Sequence, residues 1–181
     1  IQKHDIEVIP LLVGFSHETY QDRVEINTKQ LYSLVEQYGE LPKTAARNPE
    51  YFVNVFKKYV EQDYDVLCIL ISSELSSTFQ SAYIASTEFD SDRVKVVDSR
   101  NLSSGIGLVL LKAAKFRDEG KSLLEIADLL ETKIIPNVRS QFVVESLTFL
   151  HKGGRCSSTA HFFGKMLHIH PEIVVRDGKM S

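Results

Sequence analysis

Cysteine is scarce in this 181-residue chain: only Cys68 and Cys156 occur, far apart and outside any C-x-x-C pair. Two thiols make neither a disulfide framework nor a four-thiolate zinc site, so a reducing cytoplasm is the default setting. No apolar run approaches the roughly 20 residues needed to span a bilayer, which argues against stable membrane insertion. Charge of one sign is lacking as well. Lys and Arg number 21 against 24 Asp and Glu, a net charge of −3 with no basic stripe, which argues against nucleic acid as a partner. Nine glycines and five prolines form no low-complexity stretch. Hydrophobic residues make up 43% of the chain, and with so small a net charge this excludes disorder. One ordinary domain or a small two-part unit fits the length.

What is present alternates between strand and helix patterns. Ile6 to Phe15 reads as a buried strand, with Pro10 marking an edge or a strand end, and Tyr20 to Ile26 as a short second strand. Leu31, Leu34 and Val35 share a helical face over Thr28 to Tyr38, capped by Thr28 and closed at Gly39. Leu41 to Arg47 reads as a loop. Asn48-Pro49-Glu50 is a helix start, followed by the apolar face Phe52, Val53, Phe56, Tyr59 and Val60. Asp65 to Ile71 is the near-continuous apolar run of a central parallel strand. A serine-rich turn and a helix from about Ser77 to Phe89 follow it. Val94 to Asp98 is another strand, then a Ser/Gly turn and a helix through Phe116. Ser122 and Glu125 form a capping box ahead of Leu124, Ile126, Leu129 and Leu130, and Phe142 to Val144 reads as a third strand of this series. The alternation predicts an α/β fold: a mostly parallel sheet with helices on both faces, plus part of a second, smaller α/β subdomain. The expected division places residues 1–145 in the main domain, with 1–27 pairing with the second subdomain, which begins at 146–181.

The ends carry their own expectation. The chain opens Ile1-Gln2-Lys3 without an initiator Met and closes soon after Asp177-Gly178, a hairpin-turn dipeptide. The chain stops too soon for a return strand, so the sequence reads as a piece of a longer protein.

Chemistry is expected where parallel strands end. Two strand-to-helix turns are conspicuously polar, Ser72-Ser73-Glu74-Leu75-Ser76-Ser77-Thr78 and Asp98-Ser99-Arg100-Asn101-Leu102-Ser103-Ser104-Gly105. Hydroxyls and free N–H groups at a helix N-terminus suit a carboxylate or a phosphate; the same residues also serve simply as caps and turn formers. Lys152-Gly153-Gly154-Arg155 offers close backbone approach and a guanidinium clamp, or a helix C-cap followed by a solvated arginine. No G-x-x-x-x-G-K-[ST] loop, no G-x-G-x-x-G after a strand and no G-x-S-x-G elbow is present. His161, His168 and His170 lie near Cys156 without metal-ligand spacing, and Asp98 fits a turn role better than a metal.

Taken in order, these motifs resemble the DegV family of bacterial fatty-acid-binding proteins over almost the whole chain. Ile9-Pro10-Leu11 and Tyr20-Gln21-Asp22 resemble the early strand and Y-x-D, and Leu41-Pro42-Lys43-Thr44 the P-x-T-S-Q-P loop. Ile71 to Ala82 resembles I-S-S-x-L-S-G-T-Y-Q-S-A, and Val97-Asp98-Ser99 with Ser103 and Gly105-Ile106-Gly107 the DS…S-x-G-x-G segment. Leu150 to Arg155 resembles L-x-K-G-G-R, and Leu167 to Pro171 resembles L-x-I-K-P. The resemblance implies a carrier that holds a long-chain fatty acid between two subdomains and needs no cofactor. It would present the acid to a separate fatty acid kinase, which makes an acyl phosphate for phospholipid synthesis. By position Thr44, Ser76 and Arg155 match the head-group residues, with Ser73 and Ser77 in the same turn. Phe15, Phe79, Leu102, Phe162, Phe163 and Leu167 are expected either to line the acyl tunnel or to be plain core.

Departures from the family pattern are specific. Ala45 and Ala46 replace a Ser and a Gln, Ser77 replaces a Gly, and His170 replaces a Lys. The family's opening D-S-x-x-D strand and about its last third have no counterpart. Two other readings therefore stand beside the carrier. One is a kinase-like enzyme, which would need a phosphate loop and Mg²⁺ carboxylates that the sequence lacks. The other is a ligand-free interaction domain that retains the fold, and the two alanines favour it.

Overall fold

The computed structural model describes residues 2–156 and 170–181, and the described chain divides into two units, residues 1–48 and 49–181. The boundary expected at 145/146 falls inside the second unit. The class is α/β.

The first unit is a three-stranded antiparallel sheet with one helix. Its strands are β1 (Leu12–Gly14), β2 (Thr19–Gln21) and β3 (Lys43–Ala45), in the order β2-β1-β3. Among the described residues only Leu12–Gly14 of the long apolar run is strand, although Leu11 O still accepts from Asp22 N at 2.9 Å. The second strand is likewise shorter than expected. The expected loop at 41–47 supplies β3 instead, with Thr44 opposite Val13 in the register. An edge strand needs a partner more than it needs a sequence pattern, and three residues suffice here.

Helix α1 (Thr28–Tyr38) starts one residue earlier than its sequence cap implies. Asn27 Oδ1 accepts from Gln30 N at 3.0 Å, and Gln30 Oε1 accepts from Asn27 N at 2.9 Å, so Asn27 rather than Thr28 is the cap. Leu31, Leu34, Val35 and Tyr38 of α1 pack on buried Val13, Phe15 and Ile26. Glu40 accepts from Ser16 N at 2.6 Å and Ser16 Oγ at 2.5 Å, and these bonds hold its carboxyl below the usual carboxylate value.

The second unit is built on two parallel strands, β4 (Val66–Leu70) and β5 (Val94–Asp98). Val96 and Val97 point to opposite faces, and both are buried, so the pair is covered on both sides. Helices α4 (Ser104–Asp118) and α5 (Leu123–Leu129) close the Val97 face through Val109, Ala113, Ile126 and Ala127, with Leu130 just beyond α5. Helices α2 (Pro49–Val60) and α3 (Thr78–Ser86) pack on each other and on the same strands, with Phe52 and Phe56 fully buried. Ser122 caps α5 in the expected capping box.

Parallel pairing is confined to β4 and β5 among the described strands. A second sheet in this unit is antiparallel, β6 (Ser140–Val143), β7 (Glu172–Arg176) and β8 (Lys179–Met180), in the order β6-β7-β8. A return strand does follow the turn, contrary to the expectation from the few residues left: β8, two residues long. Its turn residues Asp177 and Gly178 have φ of 51° and 81°, the left-handed pair that a tight hairpin demands. The short helix α6 (Thr148–Lys152) lies between β6 and β7 in the chain.

Candidate ligand site at the strand ends

The carboxyl ends of β4 and β5 lie side by side because the strands are parallel, and both lead into polar turns. Ser72 anchors the first turn. It is fully buried, and its Oγ donates to Gly178 O at 2.7 Å while accepting from Glu74 N at 3.3 Å. Its backbone carbonyl takes the N–H groups of Leu75 at 3.0 Å and Ser76 at 3.1 Å, and its own N–H donates to Asn101 O at 2.9 Å. One residue thus ties the first turn to the second and to the β7–β8 hairpin.

Asp98 is the second tie. Its carboxylate accepts from Ser73 Oγ at 2.7 Å and from Arg100 N at 2.8 Å. The β5–α4 turn holds Arg100 at φ 50° and Ser103 at φ 49°, two non-glycine residues in the left-handed region. Strain of this kind amounts to about 1–3 kcal/mol per residue and persists only where neighbours enforce it. Asn101, buried inside the turn, donates its N–H to Ser99 Oγ and accepts from Leu102 N, each at 3.2 Å. A Cβ at Gly105 would overlap the Asn101 side chain, which is why a glycine stands there.

The sequence-derived residues fall as follows. Ser73, Ser76, Ser77 and Arg155 all belong to the second unit, while Thr44 lies exposed on β3 of the first. Ser76 Oγ shares a 2.8 Å hydrogen bond with Thr78 Oγ1 and accepts from Thr78 N at 3.3 Å, so it caps the first turn of α3. Ser77 is exposed and makes no capping bond through its side chain. Arg155 donates to Leu75 O at 3.1 Å and to Gly153 O at 2.5 Å. The G-G-R turn is thereby brought against the serine turn across 80 residues of sequence. An open depression of about 510 Å³ lies there, lined by Glu74, Leu75, Gly154, Arg155, Cys156, Lys179 and Met180.

The depression is lined by charges of both signs, Arg155 and Lys179 against Glu74. Two carboxylates flank the serine turn, and both are engaged: Asp98 as above, and Glu74 by Lys179 Nζ at 3.4 Å. Arg155 and the N-terminal end of α3 lie beside them as the local positive groups. Cys68, in the middle of β4, has its thiol pushed up to about 12 by burial.

Several participants were not singled out by sequence. Ser72 looks like any other serine of its run, and nothing local marks it as the buried one. Arg100 and the Asp177-Gly178 carbonyls were legible only as turn residues. Of the apolar candidates, Phe15 is core of the first unit, Phe79 stacks on Tyr83 with ring centroids 6.0 Å apart, and Leu102 is half-buried. Phe162, Phe163 and Leu167, with His161 and His168, lie outside the described residues. Among those described, no helix is long and apolar enough to cross a membrane, and no group of three or more His, Cys, Asp or Glu side chains could hold a metal ion.

The model of a family described as "uncharacterised protein, DegV family" matches residues 1–181. This chain belongs to the DegV family. A DegV domain-containing protein of Clostridium acetobutylicum is 43% identical over 182 residues, covering all of this chain and 64% of its own length. A DegV family protein from Thermus thermophilus, described by its fatty acid binding, superimposes with a TM-score of 0.88 at 32% identity. That match covers 99% of this chain and 64% of the other. DegV from Bacillus subtilis, described as a fatty acid binding protein, gives a TM-score of 0.80 at 32% identity, covering 99% and 64%. This DegV-family chain thus spans 64% of the length of the curated relatives it matches first.

Proposed function

We propose that the protein binds a long-chain fatty acid and holds its carboxylate at the polar turn that follows β4. The observation that carries this reading is the meeting of Arg155 with the serine turn, in a chain whose solved relatives are described as fatty-acid-binding. Burying an ionised carboxylate without partners costs several kcal/mol, and hydroxyls, a helix N-terminus and a guanidinium offset that penalty. Affinity comes from the acyl chain, at about 0.8 kcal/mol per buried CH₂, while the head group sets orientation. Ser76 and Arg155 are the proposed head-group residues. Ser73 supports them by bracing the turn on Asp98, and Ser77 adds an exposed hydroxyl at the start of α3. Thr44 enters on its sequence match alone.

The carrier would hand the acid to a separate cytoplasmic fatty acid kinase, whose acyl phosphate feeds phospholipid synthesis. The carrier needs no nucleophile of its own, because the kinase supplies the chemistry. A second reading, a ligand-free interaction domain, is favoured by Ala45 and Ala46, where the family pattern has polar residues.

Extraction of the purified protein with organic solvent, followed by mass spectrometry, tests the proposal. One fatty acid per chain is expected, without ATPase or esterase turnover. A protein that is empty, and stays empty after incubation with fatty acids, would refute the carrier and leave the interaction domain.

A further inference from the structure

The β7–β8 turn meets the polar strand ends through two consecutive backbone carbonyls. Asp177 O accepts from Arg100 Nη2 at 2.5 Å, and Gly178 O accepts from Ser72 Oγ at 2.7 Å. From Ser72 the connection continues directly to the proposed head-group residue, because Ser72 O takes the Ser76 N–H at 3.1 Å. From Arg100 it continues through Asp98, which takes the Arg100 N–H at 2.8 Å and the Ser73 hydroxyl at 2.7 Å. Gly178 is required at this junction. A Cβ there would lie 2.5 Å from Ser72 Oγ and 3.2 Å from Arg100 Nε, on a backbone already at φ 81°.

We infer that Ser72, Arg100 and Gly178 are positioning residues for the carboxylate site, clamping the serine turn in its binding shape through the β7–β8 hairpin. The inference rests on the fatty-acid reading above. Ser72 is fully buried, so its hydroxyl acts through the turn and not on the ligand. Donors that share one carboxylate must be held to within roughly 0.5 Å, and a serine turn anchored at one end only would not hold them so.

The test compares a fatty acid with the fatty alcohol of the same chain length, titrated into the unaltered protein and into Ser72→Ala, Arg100→Ala and Arg100→Lys. The alcohol keeps the acyl burial and lacks the charge. Loss of one positioning hydrogen bond should weaken acid binding about fivefold to tenfold and alcohol binding less than about twofold. Arg100→Lys, which keeps a cationic donor for the Asp177 carbonyl, should recover most of the acid affinity. A merely structural role would lower both affinities equally; that result, or no loss for either ligand, overturns the inference and leaves the carrier standing. An unaltered protein that binds neither ligand overturns both. Should Ser72→Ala fail to fold, the exposed Arg100 side chain allows the Arg100 pair to decide.

Discussion

Replacing Gly178 by alanine should be among the most damaging single-methyl additions in the second unit, and the damage should depend on Ser72. Two separable penalties follow from the geometry. An alanine held at φ 81° carries a left-handed backbone penalty of about 1–2 kcal/mol. The new Cβ, 2.5 Å from Ser72 Oγ, also expels the buried hydroxyl from its bond to Gly178 O, for about 1–3 kcal/mol more. Gly178→Ala should therefore destabilise by about 2–5 kcal/mol. Ser72→Ala alone loses only the second contribution, about 1–3 kcal/mol. In the double variant the hydroxyl is already gone, so the total should stay near that of Gly178→Ala. The coupling energy then equals the Ser72→Ala penalty. Equilibrium urea unfolding of the four proteins measures it, with an unchanged m-value confirming that the same transition is followed. Simple additivity would refute the reasoning, since it would mean that the hairpin and the serine turn do not meet through this atom pair.

Two further outcomes are expected. Ser76→Ala and Arg155→Ala should each weaken fatty-acid binding by about tenfold with an unchanged far-UV spectrum, and unaltered lipid occupancy in both would remove the head-group assignment. Glu125 accepts from Ser122 N at 2.9 Å and Ser122 Oγ at 2.8 Å, which lowers its pKa from the ordinary 4.5. A depressed carboxylate stabilises the fold above its unfolded pKa, and that contribution is lost as pH falls through the folded value. The stability advantage of the natural protein over Glu125→Gln, whose amide still reaches back but does not titrate, should shrink only below pH 4.5. A difference that stays constant from neutral to acid pH would contradict this assignment.

Sequence alone determined what nearest neighbours decide. Asn48-Pro49-Glu50 started α2, the Ser122 and Glu125 pair capped α5, and the apolar run before Ile71 became the half-buried parallel strand β4. Asp177-Gly178 likewise announced its turn. Each signal acts within a few residues, through φ preferences, caps and side-chain alternation, so it survives without knowledge of the fold. Where the partner is distant the same sequence was ambiguous. Lys43–Ala45, with no apolar pattern of its own, is a strand because it pairs along β1, while the far more apolar Ile6 to Leu11 forms no strand among the described residues. Nothing local separates Ser72 from Ser73, Ser76 and Ser77. Tertiary structure alone buries Ser72 against a carbonyl 106 residues away and sets Arg155 on the Leu75 carbonyl. The physical reason is that a hydrogen bond's value depends on which distant group completes it and on the water excluded there, and neither is written in the spacing of residues.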